Sequence, residues 1–509
     1  MGVLSAFAGA ASANAASIDT TQKGQLIIHK FENPASGAQS PDGSGVDPQT
    51  KAIEGVVFEY CTIAGIDLLD GTNTGWNAIN AITAAEKQAA ADPSAKDLVN
   101  GKYNLTGCTT LAPTDQNGIA SSVNTLPLGA YFVREITAPS NVVTKAAPFI
   151  VTLPTPKDPK NLTGDWQYQV NVYPKNTVAD GPVKNVVNQP NNGVVLGAPV
   201  EYQVTQLIPE LGAGETYNKF ILTDTLDAKL TPLTTAPVTV KSGSTTFVSG
   251  TDYTSSWSGQ TLTVTFTPAG LAKLVGGQNV VFDFQATVNT PGTIDNQAFV
   301  NLNDYKLTPG VDNGPNGSPT STTTTRWGEL TAKKVNSANA NDGLVGAQFN
   351  VYMGTTESGC TPDITGLTKV TDTTGAPYVA TSDSSGIVNI SGLWVGDTEL
   401  TVAADGTVSN VTVAGHDFQA RCYVLEEIKA PAGYVLPASP ETLSAVLVAP
   451  GAHPTAQITI KNTPQVAPEL PFTGSNAQIA LTIGGIALIV IALGGILVIR
   501  RRRNSHESA

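Results

Sequence analysis

Three segments near the C-terminal end of the chain each carry one reactive polar residue on an otherwise apolar strand face. The polar residues are a lysine, a glutamate and an asparagine: Lys334, Glu427 and Asn462. Side chains two residues apart in a strand share a face, and the residues that share these faces are Leu330 and Ala332, Tyr423 and Leu425, and Ile458 and Ile460. Because an unpaired buried charge is very costly, we expect the three polar side chains to meet in the core.

Such a set can react with itself. Burial lowers the pKa of a lysine and raises that of a carboxyl group, by up to ~3–5 units in extreme cases, so the pair can exist as a neutral amine and a neutral acid. The amine of Lys334 can then attack the Asn462 side chain, while the acid of Glu427 polarises the carboxamide. Ammonia leaves and an isopeptide cross-link remains, in a single turnover. The alternatives are a buried salt bridge without a covalent bond, or ordinary surface residues.

The same pattern occurs earlier in the chain. Lys30, Glu135 and Asn176 follow the same order, with apolar residues again on their strand faces. Between the two sets, Lys184 and Asp224 are followed by Asn296, which shares a face with Ala298 and Val300; Asn301 is the alternative partner.

The elements that would position these residues are short strands. The first and third sets lie in segments with four matching landmarks in the same order, which indicates one fold used twice. Alternation of apolar and polar residues is typical of half-buried strands, and about seven strands in each segment of about 140 residues favour an all-β, immunoglobulin-like sandwich. One helix is expected over Trp76 to Ala91, which is rich in helix formers.

Composition excludes several classes of function. The 509 residues carry 28 basic and 41 acidic side chains, a net charge of −13, which argues against nucleic-acid binding. The chain has four His, no cysteines at metal-ligand spacing, no Ser-His-Asp order and no phosphate loop. We therefore expect no metal, no cofactor and no enzyme acting on an external substrate. The four cysteines allow three connectivities; we predict Cys61–Cys108 and Cys360–Cys422, because pairing within a domain closes short loops.

The C-terminus carries an ordered series of signals. Leu470-Pro471-Phe472-Thr473-Gly474 is followed by an apolar run and then by Arg500 to Arg503. The run is long enough to cross a bilayer as a helix, and the arginines orient the tail toward the cytoplasm. This order resembles the cell-wall sorting signal of Gram-positive surface proteins. The resemblance implies that a sortase cleaves between Thr473 and Gly474 and passes the Thr473 carbonyl to an amine.

A second motif supplies a candidate amine. The segment from Trp166 to Lys175 ends Val170-Asn-Val172-Tyr173-Pro174-Lys175, and Lys175 has the opposite strand parity to Asn176, so it should face solvent at a domain boundary. This segment resembles the pilin motif of sortase-assembled Gram-positive pili. Tyr423-Val-Leu-Glu-Glu427-Ile-Lys-Ala-Pro-Ala-Gly-Tyr434 resembles the E box of the same family, whereas the first-domain counterpart at Ala138-Pro139 lacks the Gly-Tyr ending.

The chain is similar over its whole length to major (shaft) pilins. The resemblance implies sandwich domains of the Cna-A and Cna-B type, and a class C sortase that joins Thr473 of one subunit to Lys175 of the next identical subunit. It also implies a housekeeping sortase that attaches the fibre to peptidoglycan, and the internal bonds Lys334–Asn462 with Glu427 and Lys184 with Asp224. The alternative is a monomeric wall-anchored adhesin that binds a host ligand such as collagen and needs no acceptor at Lys175.

These patterns divide the chain as follows: a signal peptide over 1–15, a first immunoglobulin-like pilin domain over 16–178, a middle isopeptide-forming domain over 179–306, a linker over 307–327, a Cna-B-like isopeptide domain over 328–465, the sorting motif over 466–474, a transmembrane helix over 478–499 and a basic cytoplasmic tail over 500–509.

Overall fold

A computed structural model describes residues 17–32, 51–157, 165–211, 215–308, 311–402, 408–411, 415–466 and 475–504. The described part is mostly β-structure, with one long helix at the C-terminal end. The predicted signal peptide lies outside the described residues, as does the Leu-Pro-Phe-Thr-Gly motif.

The first sandwich is built around two facing sheets. One is ordered β12-β1-β6 and the other β4-β5-β3-β7-β9, with two smaller sheets, β2-β13-β8 and β10-β11. The alternating burial of β1, in which Leu26 and Ile28 point inward, follows from its alternating sequence. The strands are β1 Gln25–His29, β2 Phe31–Glu32, β3 Val57–Ile63, β4 Asp97–Leu98, β5 Tyr103–Thr110, β6 Ile119–Ser121, β7 Gly129–Thr137, β8 Val142–Thr144, β9 Phe149–Leu153, β10 Thr155–Pro156, β11 Trp166–Gln167, β12 Gln169–Val172 and β13 Lys175–Val178.

The helical insertion differs from the single helix expected from the sequence. The structure has two short helices, α1 Thr74–Asn80 and α2 Ala84–Ala89. Thr83 is the reason for the break, because its hydroxyl accepts the Glu86 N–H while the Glu86 carboxylate accepts the Thr83 N–H. This reciprocal pair is a capping box, which begins a new helix even inside a run of helix formers.

The middle sandwich packs two sheets face to face. One sheet is ordered β14-β15-β22-β18-β19, with β17 also on β22, and the other is ordered β20-β21-β16-β24-β25. Its elements are β14 Val183–Val187, β15 Pro199–Leu207, β16 Phe220–Thr225, β17 Leu230–Pro232, β18 Thr239–Ser242, β19 Thr245–Phe247, β20 Tyr253–Ser258, β21 Thr261–Phe266, α3 Pro268–Leu271, β22 Asn279–Val288, β23 Gly292–Asn296, β24 Ala298–Leu302 and β25 Ser318–Pro319.

The third sandwich repeats the two-sheet plan. The long strand β26 pairs with β31, β27 and β36, and the facing sheet is ordered β29-β28-β34-β35, with β30 also on β28. The strands are β26 Thr323–Asn336, β27 Asn339–Gly343, β28 Gln348–Met353, β29 Thr368–Lys369, β30 Val379–Thr381, β31 Ile387–Asp397, β32 Glu399–Val402, β33 Val408–Val411, β34 Arg421–Lys429, β35 Leu443–Val448 and β36 Ile458–Asn462.

The expected linker over 307–327 is wrong, because part of that segment forms strands. The first residues of β26 pair with β23 of the middle sandwich, from Asn296↔Thr323 to Gly292↔Trp327, and the same strand continues into the third sandwich. Thr323 and Thr325 point inward and are buried. A run of threonines suits a strand because β-branched side chains pack well on a pleated surface. One buried apolar cluster accordingly spans both sandwiches and includes Trp327.

The C-terminal helix is α4, Ser475–Asn504. Its stretch Leu481–Ile499 has 19 residues with a mean hydropathy of 2.7, and none of it is buried against the rest of the described chain. At 1.5 Å per residue this stretch spans about 28 Å, close to the thickness of a bilayer's hydrocarbon core. Length and composition therefore suit the membrane span expected from the sequence.

Candidate cross-linking sites and sorting signal

In the third sandwich, the structure brings Lys334, Glu427 and Asn462 into one buried cluster. Lys334 lies on β26, Asn462 on the parallel neighbour β36, and Glu427 on β34 in the facing sheet. The Lys334 Nζ donates to Glu427 Oε2 at 2.7 Å and also to Asn462 Oδ1. The Asn462 Nδ2 donates to Glu427 Oε1 at 2.8 Å. None of the three residues is more than 2% exposed, so every partner needed for the cross-link is present.

The surroundings of Lys334 favour the neutral amine. Burial lowers the pKa of Lys334, and the ion pair with Glu427 opposes that shift only in part. The Phe349 ring of β28 lies 5.8 Å from the Nζ, so the amine faces an apolar wall. A lysine that loses its proton easily is a better nucleophile.

The first sandwich assembles the same cluster from Lys30, Glu135 and Asn176. The Lys30 Nζ contacts Glu135 Oε2 at 3.1 Å and donates to Asn176 Oδ1. The Asn176 Nδ2 donates to Glu135 Oε1 at 2.7 Å. Burial lowers the pKa of Lys30 to about 8, against the opposing effect of Glu135. The contacts match those of the third sandwich pair for pair.

Pro174 fits this geometry because it lies at a break between strands. Strand β12 ends at Val172, and β13 begins at Lys175. The two strands have different partners, since β12 pairs with β1 and β13 pairs with β2. Lys30 occupies the corresponding break between β1 and β2. Proline, which has no N–H to donate to a sheet, therefore falls where no ladder hydrogen bond is needed.

A backbone donor completes the first cluster. The Ala146 N–H donates to Asn176 Oδ1 at 2.6 Å, on the oxygen that would gain charge during attack by lysine. Sequence reasoning did not identify this group. Every residue except proline carries a backbone N–H, so residue type contains no signal for it.

The middle sandwich brings Lys184 and Asp224 together across its core. Lys184 lies on β14 and Asp224 on β16 of the facing sheet; both are fully buried, and the Lys184 Nζ is paired with Asp224 Oδ2. Burial lowers the pKa of Lys184 to about 8, against the pull of Asp224. The rings of Tyr202 and Phe284 lie 4.5 and 5.3 Å from the Nζ. The amine thus lies in a more apolar pocket than the other two lysines.

Asn296, rather than Asn301, lies on the core side of this sandwich. Asn296 is 2% exposed, whereas Asn301 is only half-buried and donates to Asp304 at the surface. The backbone N–H of Lys184 donates to the Ser321 hydroxyl at 3.1 Å, and the Thr323 hydroxyl donates to the backbone carbonyl of Asn296 at 3.2 Å. Lys184 and Asn296 therefore flank one short stretch of chain, although neither amide atom of the Asn296 side chain has a hydrogen-bond partner within the described residues.

Two disulfides support the sandwiches. Cys61 on β3 is joined to Cys108 on β5, and Cys360 is joined to Cys422 on β34. These are the two pairs expected from the sequence. The second bond tethers the strand that carries Glu427, five residues from that carboxylate.

Lys175 begins β13, with Phe31 of β2 as its register partner. The sequence predicted a solvent-facing side chain, but the residue is half-buried, because β2 runs alongside it. The junction with the middle sandwich is close: Thr177 pairs with Thr144, whose hydroxyl donates to Glu215 at 2.8 Å. The expected donor residues Thr473 and Gly474 lie outside the described residues.

Comparisons with known proteins agree with this arrangement. Three family models match: Gram-positive pilin subunit D1, N-terminal domain, over residues 21–177; Gram-positive pilin backbone subunit 2, Cna-B-like domain, over 196–313; and the LPXTG cell wall anchor motif over 462–506. The chain is 37% identical to fimbrial subunit type 2 of Actinomyces naeslundii, over 99% of this chain and 95% of that protein. The chain belongs to the Gram-positive pilins.

Other pilins share this organisation. Fimbrial subunit type 1 of Actinomyces viscosus is 29% identical over 98% of this pilin and 94% of its own length. The full-length major pilin SpaD from Corynebacterium diphtheriae superposes with a TM-score of 0.54 at 26% identity, covering 90% of this chain and all of that one. The protein is thus a structural pilus subunit rather than an enzyme, and it is anchored in the cell wall through its LPXTG motif and C-terminal apolar segment. The predicted family, fold class and location are confirmed.

Proposed function

We propose that this pilin polymerises covalently, with Thr473 of one subunit as acyl donor and Lys175 of the next as acceptor. The Thr473–Gly474 peptide bond breaks, and an amide forms between the Thr473 carbonyl and the Lys175 Nζ. The enzyme we expect is a class C, pilin-specific sortase, and a housekeeping sortase would then join the finished fibre to peptidoglycan. The observation that carries the proposal is that one chain holds both a sorting signal and a lysine at the junction of its first two sandwiches.

We further propose that each sandwich closes an internal Lys–Asn isopeptide bond. The pairs are Lys30–Asn176, Lys184–Asn296 and Lys334–Asn462, with Glu135, Asp224 and Glu427 as the respective acids. The contacts of the first and third clusters support this proposal, because amine, carboxamide and acid already touch there. The middle bond is supported by the Lys184–Asp224 pair and by the buried, unbonded Asn296 side chain.

The position of these bonds suits a fibre under tension. In the third sandwich the first strand β26 and the last strand β36 are parallel neighbours, so a pull on the two ends would shear them apart. A covalent bond between Lys334 and Asn462 would carry that load directly. The first sandwich has the same parallel pairing of β1 with β12 and of β2 with β13, but load that enters at Lys175 and leaves at Thr473 does not pass through Lys30.

Polymerisation is tested by changing the acceptor. Lys175→Ala should abolish the high-mass ladder that cell-wall extracts show under denaturing electrophoresis, because no other subunit amine takes its place. Lys145→Ala is the matched control: Lys145 is an exposed lysine beside the same junction whose Nζ donates to the Ile136 carbonyl, so the ladder of this variant should be unchanged. A ladder that persists in Lys175→Ala would rule out Lys175 as the acceptor, whereas a wild-type chain that forms no ladder would favour the monomeric adhesin.

A further inference from the structure

Among the residues that the structure describes, the middle sandwich contains a group of buried polar side-chain atoms without hydrogen-bond partners. Around Asn296 the unpaired atoms are both of its side-chain amide atoms, Asp224 Oδ1, the Tyr202 hydroxyl and the Thr325 hydroxyl. Buried polar atoms are nearly always paired, so such a group calls for a functional explanation. In the first sandwich the equivalent carboxamide oxygen, on Asn176, accepts the Ala146 N–H. Within the described residues, the Asn296 oxygen has no such backbone donor.

Tyr202 is the side chain best placed to supply that donor. It lies on β15, next to the strand of Lys184, and is fully buried. Its ring is 4.5 Å from the Lys184 Nζ, and its hydroxyl lies near the Asn296 carboxamide and the Thr325 hydroxyl. Burial raises the pKa of Tyr202 far above its usual value. The hydroxyl therefore keeps its proton and can act only as a hydrogen-bond donor or acceptor, not as an acid that gives the proton away.

We propose that the Tyr202 hydroxyl donates the hydrogen bond that stabilises the Asn296 side-chain oxygen while the Lys184–Asn296 bond forms, an inference that rests on the cross-linking function proposed above. The neutral Lys184 amine attacks Asn296 Cγ, and the carbonyl oxygen gains negative charge. The Nζ–Cγ bond forms and the Cγ–Nδ2 bond breaks. The proton lost by the amine passes through the Asp224 carboxyl group to the departing nitrogen, which leaves as ammonia.

The first and middle sandwiches would thus stabilise the same oxyanion with different hydrogen-bond donors. A preorganised donor aimed at a developing oxyanion is worth most in a buried site that excludes water. The first sandwich has a backbone N–H in that role, from Ala146, whereas the middle sandwich has an aromatic hydroxyl. Tyr202 therefore acts on the reacting atoms, while its ring also forms one wall of the lysine pocket.

The test is the rate of cross-linking in Tyr202→Phe. The full-length chain is recovered unreacted from inclusion bodies and refolded into detergent, and the cross-linked peptides are quantified by mass spectrometry over time. We expect the Lys184–Asn296 peptide to appear about 10²-fold more slowly than in wild type, the usual cost of losing one oxyanion donor. The Lys30–Asn176 and Lys334–Asn462 peptides, measured in the same samples, should form at wild-type rates.

Tyr253→Phe is the matched control. Tyr253 is a buried tyrosine of the same sandwich whose hydroxyl donates to the Val238 carbonyl at 2.7 Å. Its loss leaves a buried carbonyl unpaired, whereas the Tyr202 hydroxyl makes no hydrogen bond of ordinary geometry within the described residues. If Tyr202 were only structural, Tyr253→Phe should slow the formation of the Lys184–Asn296 bond more than Tyr202→Phe does. If Tyr202 is the oxyanion donor, Tyr202→Phe should slow it more.

The outcomes are distinct. Wild-type rates in Tyr202→Phe would overturn the role of Tyr202 and leave the bond itself intact. A refolded wild-type chain that never yields the Lys184–Asn296 peptide would overturn the bond, and the role with it. Incorporating 4-aminophenylalanine at position 202 restores an N–H donor on the same ring. Recovery of the rate there supports the proposal, and a rate that stays as low as with phenylalanine contradicts it.

Discussion

At the scale of single residues, the three clusters share one plan and differ in detail. Each holds a buried lysine against a carboxyl group, and burial lowers the pKa of all three lysines. The acid is glutamate in the outer sandwiches and aspartate in the middle one. The shorter aspartate pairs with the lysine, but the Asn296 side chain has no hydrogen-bond partner within the described residues. The middle cluster therefore depends on other side chains, such as Tyr202, to stabilise the asparagine.

The acid of the third sandwich can be tested directly. Glu427→Gln removes the group proposed to carry a proton between the amine and the leaving nitrogen. The variant should therefore lose one ammonia fewer than wild type, relative to the mass calculated from its own sequence. Losing a cross-link between residues 128 positions apart should also lower the free energy of unfolding by about 5 kcal/mol, by the loop-closure argument used for disulfides. Intact-mass spectrometry and guanidinium unfolding measure the two effects.

The adjacent Glu426 provides the control for that substitution. Its carboxylate accepts hydrogen bonds from Asn350 and Tyr352, both at 2.9 Å, on the other face of the strand. Glu426→Gln should therefore keep the cross-link and the wild-type mass loss. If Glu427→Gln loses the same number of ammonia molecules as wild type, Glu427 is not the acid.

The lysine of the middle sandwich predicts a pH dependence. In Asn296→Ala no bond can form, and the amine stays buried with a pKa of about 8, against 10.5 for an ordinary lysine. Between these values the unfolded chain binds more protons than the folded one, so the stability of this variant should rise with pH from about 8 to 10.5 and be lowest below that window. Wild type, whose lysine would be an amide, should lack this component.

The measurement is thermal unfolding of both proteins at several pH values across that window. Lys184→Met serves as the control, because it is also unable to form the bond but carries no titrating group at this position. Its pH profile should follow that of wild type. Equal pH slopes in Asn296→Ala and Lys184→Met would refute a depressed lysine pKa.

At the scale of elements, the decisive feature is the strand β26. Its first half belongs to a sheet with β23 of the middle sandwich, and its second half pairs with β31 and β36 of the third. Trp327 sits at the crossover with no exposed surface, within an apolar cluster shared by both sandwiches. A shared strand and a shared core join the two sandwiches across this boundary, so the two sandwiches should behave as one mechanical unit.

Trp327→Ala tests that coupling. Truncating a fully buried aromatic residue costs about 3–5 kcal/mol. We expect this loss to lower the stability of both sandwiches together, so that hydrogen exchange measured across a denaturant titration shows a single unfolding transition. Trp257→Ala is the control, since Trp257 is only half-buried and packs at the edge of the same cluster. Protection lost from the third sandwich alone would mean that the two sandwiches unfold independently.

At the scale of the whole molecule, the pilin is an acidic cell-wall protein with a sorting signal at its C-terminal end and, under the proposed function, an acceptor lysine at its first domain junction. The net charge of −13 includes the four arginines next to the membrane helix, so the extracellular part is more acidic still. The sorting signal lies at one end and Lys175 lies at the first junction, so each subunit would be joined to two others. Load would then pass from subunit to subunit through covalent bonds.

Force spectroscopy on single fibres tests where that load runs. In wild type, the residues between Lys334 and Asn462 should not unravel, because the cross-link bypasses them. In Lys334→Ala the 128-residue separation is released except for the 62 residues that the Cys360–Cys422 disulfide still bypasses, so each subunit should gain roughly 220 Å of length at about 3.3–3.6 Å per residue. The ladder on gels should remain, since Lys175 is untouched. A fibre whose extension is unchanged would show that this sandwich does not carry load through the bond.

The sequence alone determined the features that depend on local order. Strand parity predicts that Lys334, Glu427 and Asn462 point inward, because the side-chain period of a strand is two whatever the strand pairs with. The sorting signal and its apolar helix are contiguous, so length and composition suffice to recognise them. The same holds for the alternation that predicts an all-β fold, which the comparisons confirm.

Tertiary structure decided what depends on pairing between distant segments. Periodicity says which face a side chain occupies but not which strand lies opposite, so it left Asn296 and Asn301 open and misread the threonines of β26 as a linker. It also could not find the Ala146 N–H or the position of Tyr202 beside Lys184. These groups become neighbours only when strands far apart in the chain form one core, because hydrogen bonds and burial are set by that packing and not by local sequence.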